Sequence, residues 1–283
     1  MSLFQSMDLE HLTLVIALML ATGLASGFIA GFFAVTGSVI RVPLLLFAGG
    51  WLGIPAEMRM HVALATSLAT ALPTMLAAAR AHARVGDVDW TIWRWFAPGA
   101  LIGAVIGTVA AINVHSVVIE IAYVVLILPL GIIALARPAG IHLLKTAPVN
   151  LFGTLIEMVV GAVSALIALG GGVFNVMLLG GCGLTKDRVV GTSAAIAPAI
   201  VGPALAVIII GGIGVPGLPA GQFGYVNILG FVFITIGAMI AAPIGTRVNA
   251  MVPERLHRRL YGLFILGVAV NMLVHLMVLY GPG

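Results

Sequence analysis

Runs of about 20 apolar residues recur from one end of the chain to the other, separated by short polar gaps. A helix of that length matches the thickness of a bilayer, whereas a strand of a membrane barrel needs only about ten alternating residues. The chain is 61% hydrophobic with a mean hydropathy of +1.22. Only 8% of its residues are charged, against roughly a quarter in soluble domains. The sequence therefore predicts an all-α polytopic membrane protein without a soluble domain.

Ten apolar segments can be delimited, eight long and two short. The short ones, Val39–Trp51 and Val173–Gly183, each follow a glycine-rich break, Thr36-Gly37-Ser38 or Gly170-Gly171-Gly172. At 1.5 Å per residue they reach roughly 20 and 17 Å, less than the ~30 Å hydrocarbon core, so we expect them to stop partway across. The long segments are Leu12–Val35, Val62–Ala79, Thr91–Ile112, Val117–Ala136, Leu151–Leu169, Val189–Ile213, Tyr225–Thr246 and Leu260–Tyr280.

The two halves of the chain resemble each other. Gly27–Leu46 aligns with Gly161–Gly180 without a gap, and seven of the 20 residue pairs are identical. Two more matches follow in the same order: Ala65-Thr66-Ser67 with Gly191-Thr192-Ser193, and GALIGAVIGT from Gly99 with GAMIAAPIGT from Gly237. These matches predict a duplication, with a first repeat at residues 1–146 and a second at residues 147–283.

The 13 lysines and arginines predict how the short segments fold. Suppose that each short segment returns the chain to the side where its long partner began. Eleven of the 13 basic residues then lie on one side of the membrane, Arg59 lies on the other, and Arg41 lies within a segment. If each long–short pair makes one crossing, the split is 5 against 7. The positive-inside rule favours the first arrangement, in which the halves are inverted, the short legs form hairpins, and both termini lie outside. The 11 residues are Arg80, Arg84, Arg94, Arg137, Lys145, Lys186, Arg188, Arg247, Arg255, Arg258 and Arg259.

Each glycine-rich break is a candidate anion site. A helix that begins inside the membrane presents N–H groups without helical partners and the positive end of its dipole. Two such starts are predicted, near Ser38 and near Gly172. The alternative is that these glycines only let helices pack closely, as small residues often do in membranes.

Polar side chains near the breaks extend the candidate site. The repeated Thr-Ser pairs can donate hydrogen bonds to an oxyanion or can bond to their own helix backbone. Arg41 can neutralise a substrate anion, or it can snorkel to a headgroup or pair with a carboxylate. Its repeat partner is Asn175. We expect the anion to bind between the two short-helix starts, at Thr36, Gly37, Ser38, Arg41, Thr66, Ser67, Gly170, Gly171, Gly172, Asn175, Thr192 and Ser193.

Other chemistry finds little support in the sequence. Glu120 and Glu157 lie near segment starts, where a carboxylate can cap a helix or take part in proton coupling. Cys182 is the single cysteine, and no histidine pair has metal-ligand spacing. The motifs HExxH, GxSxG and GxxxxGK[ST] do not occur. The sequence therefore predicts no enzyme, no metal, no cofactor and no nucleic-acid partner, and the net charge of +4 is attributed to cytoplasmic loops.

Glycine-rich motifs along almost the whole chain resemble those of the TauE/SafE family of sulfite exporters. They are GFFAVTGSVIRVPLLL from Gly31, ATSLAT from Ala65, GDVDW from Gly86, ALGGGVFNVMLL from Ala168, GTSAAI from Gly191 and GAMIAAPIGTRV from Gly237. The resemblance implies transport, in the export direction, of sulfite, a sulfonate or a related oxyanion across a bacterial inner membrane. In that membrane, the distribution of basic residues places both termini in the periplasm. A coupling proton or ion is a possible second partner. The alternatives are a channel-like anion conductor and a membrane enzyme or assembly factor.

We predict that position 84 is accessible only from the cytoplasm and position 217 only from the periplasm, because the positive-inside rule fixes the orientation. In a Cys182→Ala background, a membrane-impermeant maleimide added outside should label Gly217→Cys and not Arg84→Cys. Labelling of Arg84→Cys from outside would contradict the topology.

Overall fold

The computed structural model describes residues 9–33, 36–136 and 146–280. Val35, Arg137 and Lys145, which entered the sequence predictions, lie outside these residues. The described residues form ten helices and two short strands. They are α1 Leu9–Phe33, α2 Ser38–Trp51, α3 Ala56–Val85, α4 Trp90–Ile112, α5 Ser116–Ala136, α6 Leu151–Leu166, α7 Gly172–Gly180, α8 Lys186–Gly212, β1 Gln222–Phe223, β2 Val226–Asn227, α9 Ile228–Met251 and α10 Glu254–Tyr280.

Seven helices are long and apolar enough to cross a bilayer, namely α1, α3, α4, α5, α8, α9 and α10. The predicted all-α polytopic membrane protein is thereby confirmed. Helices α2 and α7 are short, with 14 and 9 residues. Helix α6 has 16 residues and ends at Leu166, three residues before the predicted end. It stops because Ala168 adopts a left-handed conformation with φ 54°, which a right-handed helix cannot include.

The predicted long segment Tyr225–Thr246 begins with a turn, not with a helix. Strands β1 and β2 pair as an antiparallel hairpin, with Phe223 opposite Val226. Helix α9 starts only at Ile228, because the side chain of Asn227 caps it by accepting the N–H of Gly230 at 2.6 Å. The predicted start at Tyr225 was therefore three residues too early.

Contacts divide the chain into two compact units. The first unit holds α1, α2, the part of α3 up to Ser67, α5, α9 and α10. The second unit holds the rest of α3, then α4, α6, α7, and α8 up to Ile210. Each unit draws on both halves of the sequence, so the units do not follow the predicted repeat boundary at residue 146. The inverted duplication itself stays a prediction.

Glycines bring α1 against α9 in the first unit. A Cβ added at Gly23, Gly27 or Gly31 would overlap the backbone of Ile234, Ala238 or Ala242, respectively. The contacts advance in step along both helices, so the two helices run parallel. Close backbone approach through glycines four residues apart is the usual way for helices to associate in lipid, where apolar side chains gain little from each other.

The second unit repeats this arrangement with α4 and α6. A Cβ at Gly99, Gly103 or Gly107 would overlap the backbone carbonyl of Thr154, Met158 or Ala162. In the predicted duplication α1 corresponds to α6 and α9 corresponds to α4. The two glycine-mediated pairs are therefore equivalent, and each joins a helix of one sequence half to a helix of the other.

A proline inside α2 is accommodated by a tyrosine. Pro43 has no N–H and cannot bond to the carbonyl of Val39, four residues earlier. The hydroxyl of Tyr123, on α5, donates to that carbonyl at 2.7 Å. An unsatisfied carbonyl costs several kcal/mol in a lipid environment, so this bond stabilises the short helix in the first unit.

We predict that Gly103→Ala lowers the free energy of unfolding by about 1–3 kcal/mol, because the new methyl group forces α4 and α6 apart. Gly202→Ala is the matched control. Gly202 also lies in a helix of the second unit, but an added Cβ would meet no atom within 4 Å. Thermal unfolding in detergent measures the difference, and equal midpoints for the two variants would contradict the packing described.

Candidate functional site

The first glycine-rich break lies beside the middle of two long helices. A Cβ added at Gly37 would lie 2.7 Å from the carbonyl oxygen of Ser26, well inside α1. Arg41, the fourth residue of α2, donates to the carbonyl oxygen of Ser67 at 3.1 Å, near the middle of α3. Helix α2 therefore begins deep inside the first unit, level with the middle of helices that are long enough to span.

The start of α2 has no side-chain cap. Ser38 is its first residue, and its hydroxyl is fully buried without a hydrogen-bond partner among the described residues. Helical carbonyls cannot accept the first N–H groups of a helix. This end of α2 therefore concentrates hydrogen-bond donors and the positive end of a helix dipole in a buried place.

Arg41 adds a full positive charge next to this helix start. Its side chain is only 2% exposed, and its Nε donates to the hydroxyl of Ser26 at 3.4 Å. One guanidinium nitrogen lies 3.0 Å from where a Cβ of Gly37 would be. This is not the position of a side chain that snorkels to the membrane surface. A charge and a helix start of the same sign lie together, which an anion would stabilise.

The second break owes its shape to left-handed residues. Gly170 and Gly171 have φ 63° and 78°, which side chains other than glycine rarely adopt. Gly171 caps α7 without a side-chain hydrogen bond, and an added Cβ would overlap Ile200, near the middle of α8. The second break is thus also buried beside the middle of a spanning helix, within the second unit.

The Asn175 amide bonds to a buried carboxyl group. Its Nδ2 donates to Oε1 of Glu157 at 3.0 Å, and both side chains are fully buried. Glu157 does not cap α6, since Asn150 accepts the N–H of Gly153 in that role. In the predicted alignment of the two halves, the position of Arg41 therefore corresponds to a neutral amide that binds a carboxyl group.

In the two Thr-Ser pairs, the threonine hydroxyls accept hydrogen bonds from loops outside their own helices. The hydroxyl of Thr66 accepts the backbone N–H of Asn227 at 3.0 Å, and that of Thr192 accepts the N–H of Asp89 at 2.9 Å. The two threonines thus hold the loops that lead into other helices, instead of bonding only to their own. Ser193 is buried, and its hydroxyl has no partner among the described residues.

Sequence reasoning missed the residues that these threonines hold. Asp89 caps α4 by accepting the N–H groups of Thr91 and Ile92, as Asn227 caps α9. Asp89 and Asn227 are the fourth residues of the segments GDVDW and GYVNI, which start at Gly86 and Gly224, both with positive φ. The two segments lie at the same offset as GALIGAVIGT and GAMIAAPIGT. The shared offset could have shown that the two segments correspond, but only two of their five residues are identical.

The structure brings some predicted site residues together and separates others. In the first unit, Arg41 connects the break at Gly37 to Ser67. In the second unit, the atoms nearest to the break belong to Met75, Ile200 and Val201. Ser193 precedes Ile200 by seven residues on α8, about 10 Å along the helix axis.

Comparisons with known proteins agree with the sequence motifs. The family model described as Sulfite exporter TauE/SafE matches residues 19–272. A Haemophilus influenzae protein described as "Probable membrane transporter protein" is 24% identical over 240 residues, which cover 85% of this chain and 91% of that protein. No solved structure matches the chain significantly. The family match confirms the predicted resemblance.

We predict that Thr192→Val lowers the free energy of unfolding by about 1–3 kcal/mol, because it leaves the partly buried N–H of Asp89 without its acceptor. Thr108→Val is the matched control. Thr108 is equally buried in the second unit, but its hydroxyl only donates to Ala104, whose carbonyl oxygen has a helical partner as well. Unfolding in a denaturant series measures both, and equal losses would contradict the role given to Thr192.

Proposed function

Since the chain belongs to the sulfite exporter TauE/SafE family, we propose that it is a secondary transporter that exports a small sulfur-containing oxyanion. The chain is a multi-pass membrane protein, and its family is one of membrane transporters. The proposal adds the cargo, sulfite or a sulfonate, and the direction. It also places the protein in a bacterial inner membrane with periplasmic termini. We assign it no catalytic activity.

The observation that carries the proposal is the buried guanidinium of Arg41 beside the uncapped start of α2. An oxyanion that leaves water needs donors and positive charge in place of its hydration shell. Arg41 provides a planar fork of N–H donors that suits oxyanions, and the start of α2 adds backbone N–H groups and the hydroxyl of Ser38. Within the first unit, this arrangement favours an anion over a cation or a neutral solute.

The second unit supports the proposal with neutral donors. The start of α7 carries N–H groups and the positive end of a helix dipole, and α8 of the same unit carries the buried hydroxyl of Ser193. Dipoles bind an anion less tightly than full charges do, which allows release. The proposed contacts are Thr36, Gly37, Ser38, Arg41, Thr66 and Ser67 in the first unit, and Gly170, Gly171, Gly172, Asn175, Thr192 and Ser193 in the second.

Alternating access is the mechanism that we propose for the transport step. Duplicated halves of opposite orientation with broken helices are typical of carriers that expose one site to either side in turn. The reciprocal glycine-mediated pairs, α1 with α9 and α4 with α6, are what a duplication would produce. They favour a carrier over a channel.

We predict that Arg41→Gln lowers the affinity for sulfite about ten- to a hundredfold, the effect of losing about 1.5–3 kcal/mol of charge-assisted hydrogen bonding. Uptake of radiolabelled sulfite into proteoliposomes measures it. Arg59→Gln is the matched control. Arg59 is another arginine of the first unit, but it is only partly buried, and its Nε donates to the carbonyl oxygen of Ile54.

We also predict that Gly171→Leu abolishes sulfite uptake into proteoliposomes although the protein still inserts, because a side chain at position 171 overlaps Ile200.

Three results would count against the proposal. Equal affinity in Arg41→Gln and the wild type would remove Arg41 from the site. A wild type that carries neither sulfite nor a sulfonate would refute the cargo. Flux that neither saturates nor exchanges labelled for unlabelled anion would identify a channel in place of a carrier.

A further inference from the structure

We propose that Glu157 and Asn175 form a proton-binding site that couples substrate transport to proton movement. The proposal goes beyond the cargo named above and rests on the transport function only in the coupling step.

The pair contains two buried oxygen atoms that lack partners. Nδ2 of Asn175 donates to Oε1 of Glu157, but Oε2 of Glu157 and Oδ1 of Asn175 have no hydrogen-bond partner among the described residues. Both atoms are acceptors when the carboxyl group is ionised, so they cannot satisfy each other. Buried polar atoms without partners are costly and call for an explanation.

One proton accounts for both atoms. When Oε2 of Glu157 carries a proton it becomes a donor, and Oδ1 of Asn175, on the same amide group that already bonds to Oε1, is the acceptor. The acid and the amide then form a closed ring of two hydrogen bonds, in which each group donates once and accepts once. The donors and acceptors of the pair therefore match the protonated acid.

Among the described helices of the second unit, no charged side chain lies where it would keep the carboxyl group ionised. Glu157 is the single charged residue of α6, and α7 has none. On α4, Arg94 is exposed and precedes Gly99, which faces Thr154 and Met158, by more than one turn. The remaining titratable groups on the described helices of the second unit lie at helix ends. They are Arg80, His82 and Arg84 on α3, and Lys186, Asp187 and Arg188 on α8.

A metal ion explains the two oxygens less well than a proton does. Hard cations such as Ca²⁺ take about six to eight oxygen ligands, whereas the pair offers two. No group of three or more histidine, cysteine, aspartate or glutamate side chains that could hold a metal ion occurs among the described residues.

The position of the pair connects the proton to the substrate. Asn175 lies in the first turn of α7, and its Nδ2 is 3.3 Å from where a Cβ of Gly171 would be. A negative charge on Glu157 would repel an anion at this helix start, whereas a neutral acid would not. By linkage, the anion must then favour proton binding to the same degree that the proton favours anion binding. Proton and anion therefore move in the same direction.

Glu157→Gln tests the proposal without disturbing the fold. A glutamine can keep both hydrogen bonds of the ring, with its NH₂ group donating to Oδ1 of Asn175, so it mimics the protonated acid permanently. Glu120→Gln is the matched control. Glu120 is the other buried carboxyl group among the described residues, it lies in the first unit, and its Oε2 is 4.0 Å from Nε2 of His275.

The first measurement is infrared spectroscopy of the protein in lipid nanodiscs at neutral pH, without substrate. We expect the wild type to show a C=O band of a protonated carboxylic acid that Glu157→Gln removes and Glu120→Gln keeps. Absence of a band that depends on Glu157 would overturn the proposal. This measurement needs no transport, so it decides the proton site even if the proposed cargo is wrong.

The second measurement is transport of methanesulfonate into proteoliposomes that contain a pH-sensitive dye. A sulfonate stays ionised, so the anion itself carries no proton. We expect uptake by the wild type to acidify the lumen, and Glu157→Gln to lower the protons moved per anion at least tenfold while exchange of labelled for unlabelled anion continues. Unchanged proton movement in Glu157→Gln would overturn the coupling role.

Discussion

Every backbone N–H and C=O group inside a bilayer must find a partner within the protein, and this constraint governs the whole molecule. Where helices are interrupted, the structure provides partners from side chains. Tyr123 supplies a donor to the carbonyl that Pro43 leaves open, and Thr66 and Thr192 supply acceptors to the loops before α9 and α4. The starts of α2 and α7 differ from these sites because neither has a side-chain cap. They are therefore the places where a ligand can take the part of the missing partner.

Glycine connects this constraint to function in two ways. Along α1 and α4 it allows backbones to approach so closely that each unit acquires a tightly packed helix pair. At Gly37 and Gly171 it leaves room at the helix starts, beside Arg41 in the first unit and beside Asn175 in the second. The two starts have diverged chemically. One holds a permanent cation, and the other holds an amide bound to Glu157, which suits a proton.

Much of this architecture could be predicted from the sequence, because spans, breaks and glycine motifs are local patterns. The rest depends on contacts between distant residues. The end of α6 follows from the left-handed Ala168, and alanine gives no local signal for that conformation. The partner of Thr66 is 161 residues away, and the partner of Thr192 is 103 residues away. The bond between Glu157 and Asn175 joins α6 to the first turn of α7. Because a break separates these helices, residue spacing does not predict which side chains of one helix face the other.

We propose above that a sulfur oxyanion binds at the start of α2, next to Arg41. A structure determined by electron cryomicroscopy in the presence of sulfite tests it most directly. We expect density for the anion within hydrogen-bonding distance of the Arg41 guanidinium and the Ser38 hydroxyl. Sulfite bound elsewhere, with the guanidinium of Arg41 still bonded to Ser26 and Ser67 and not to the anion, would contradict this site.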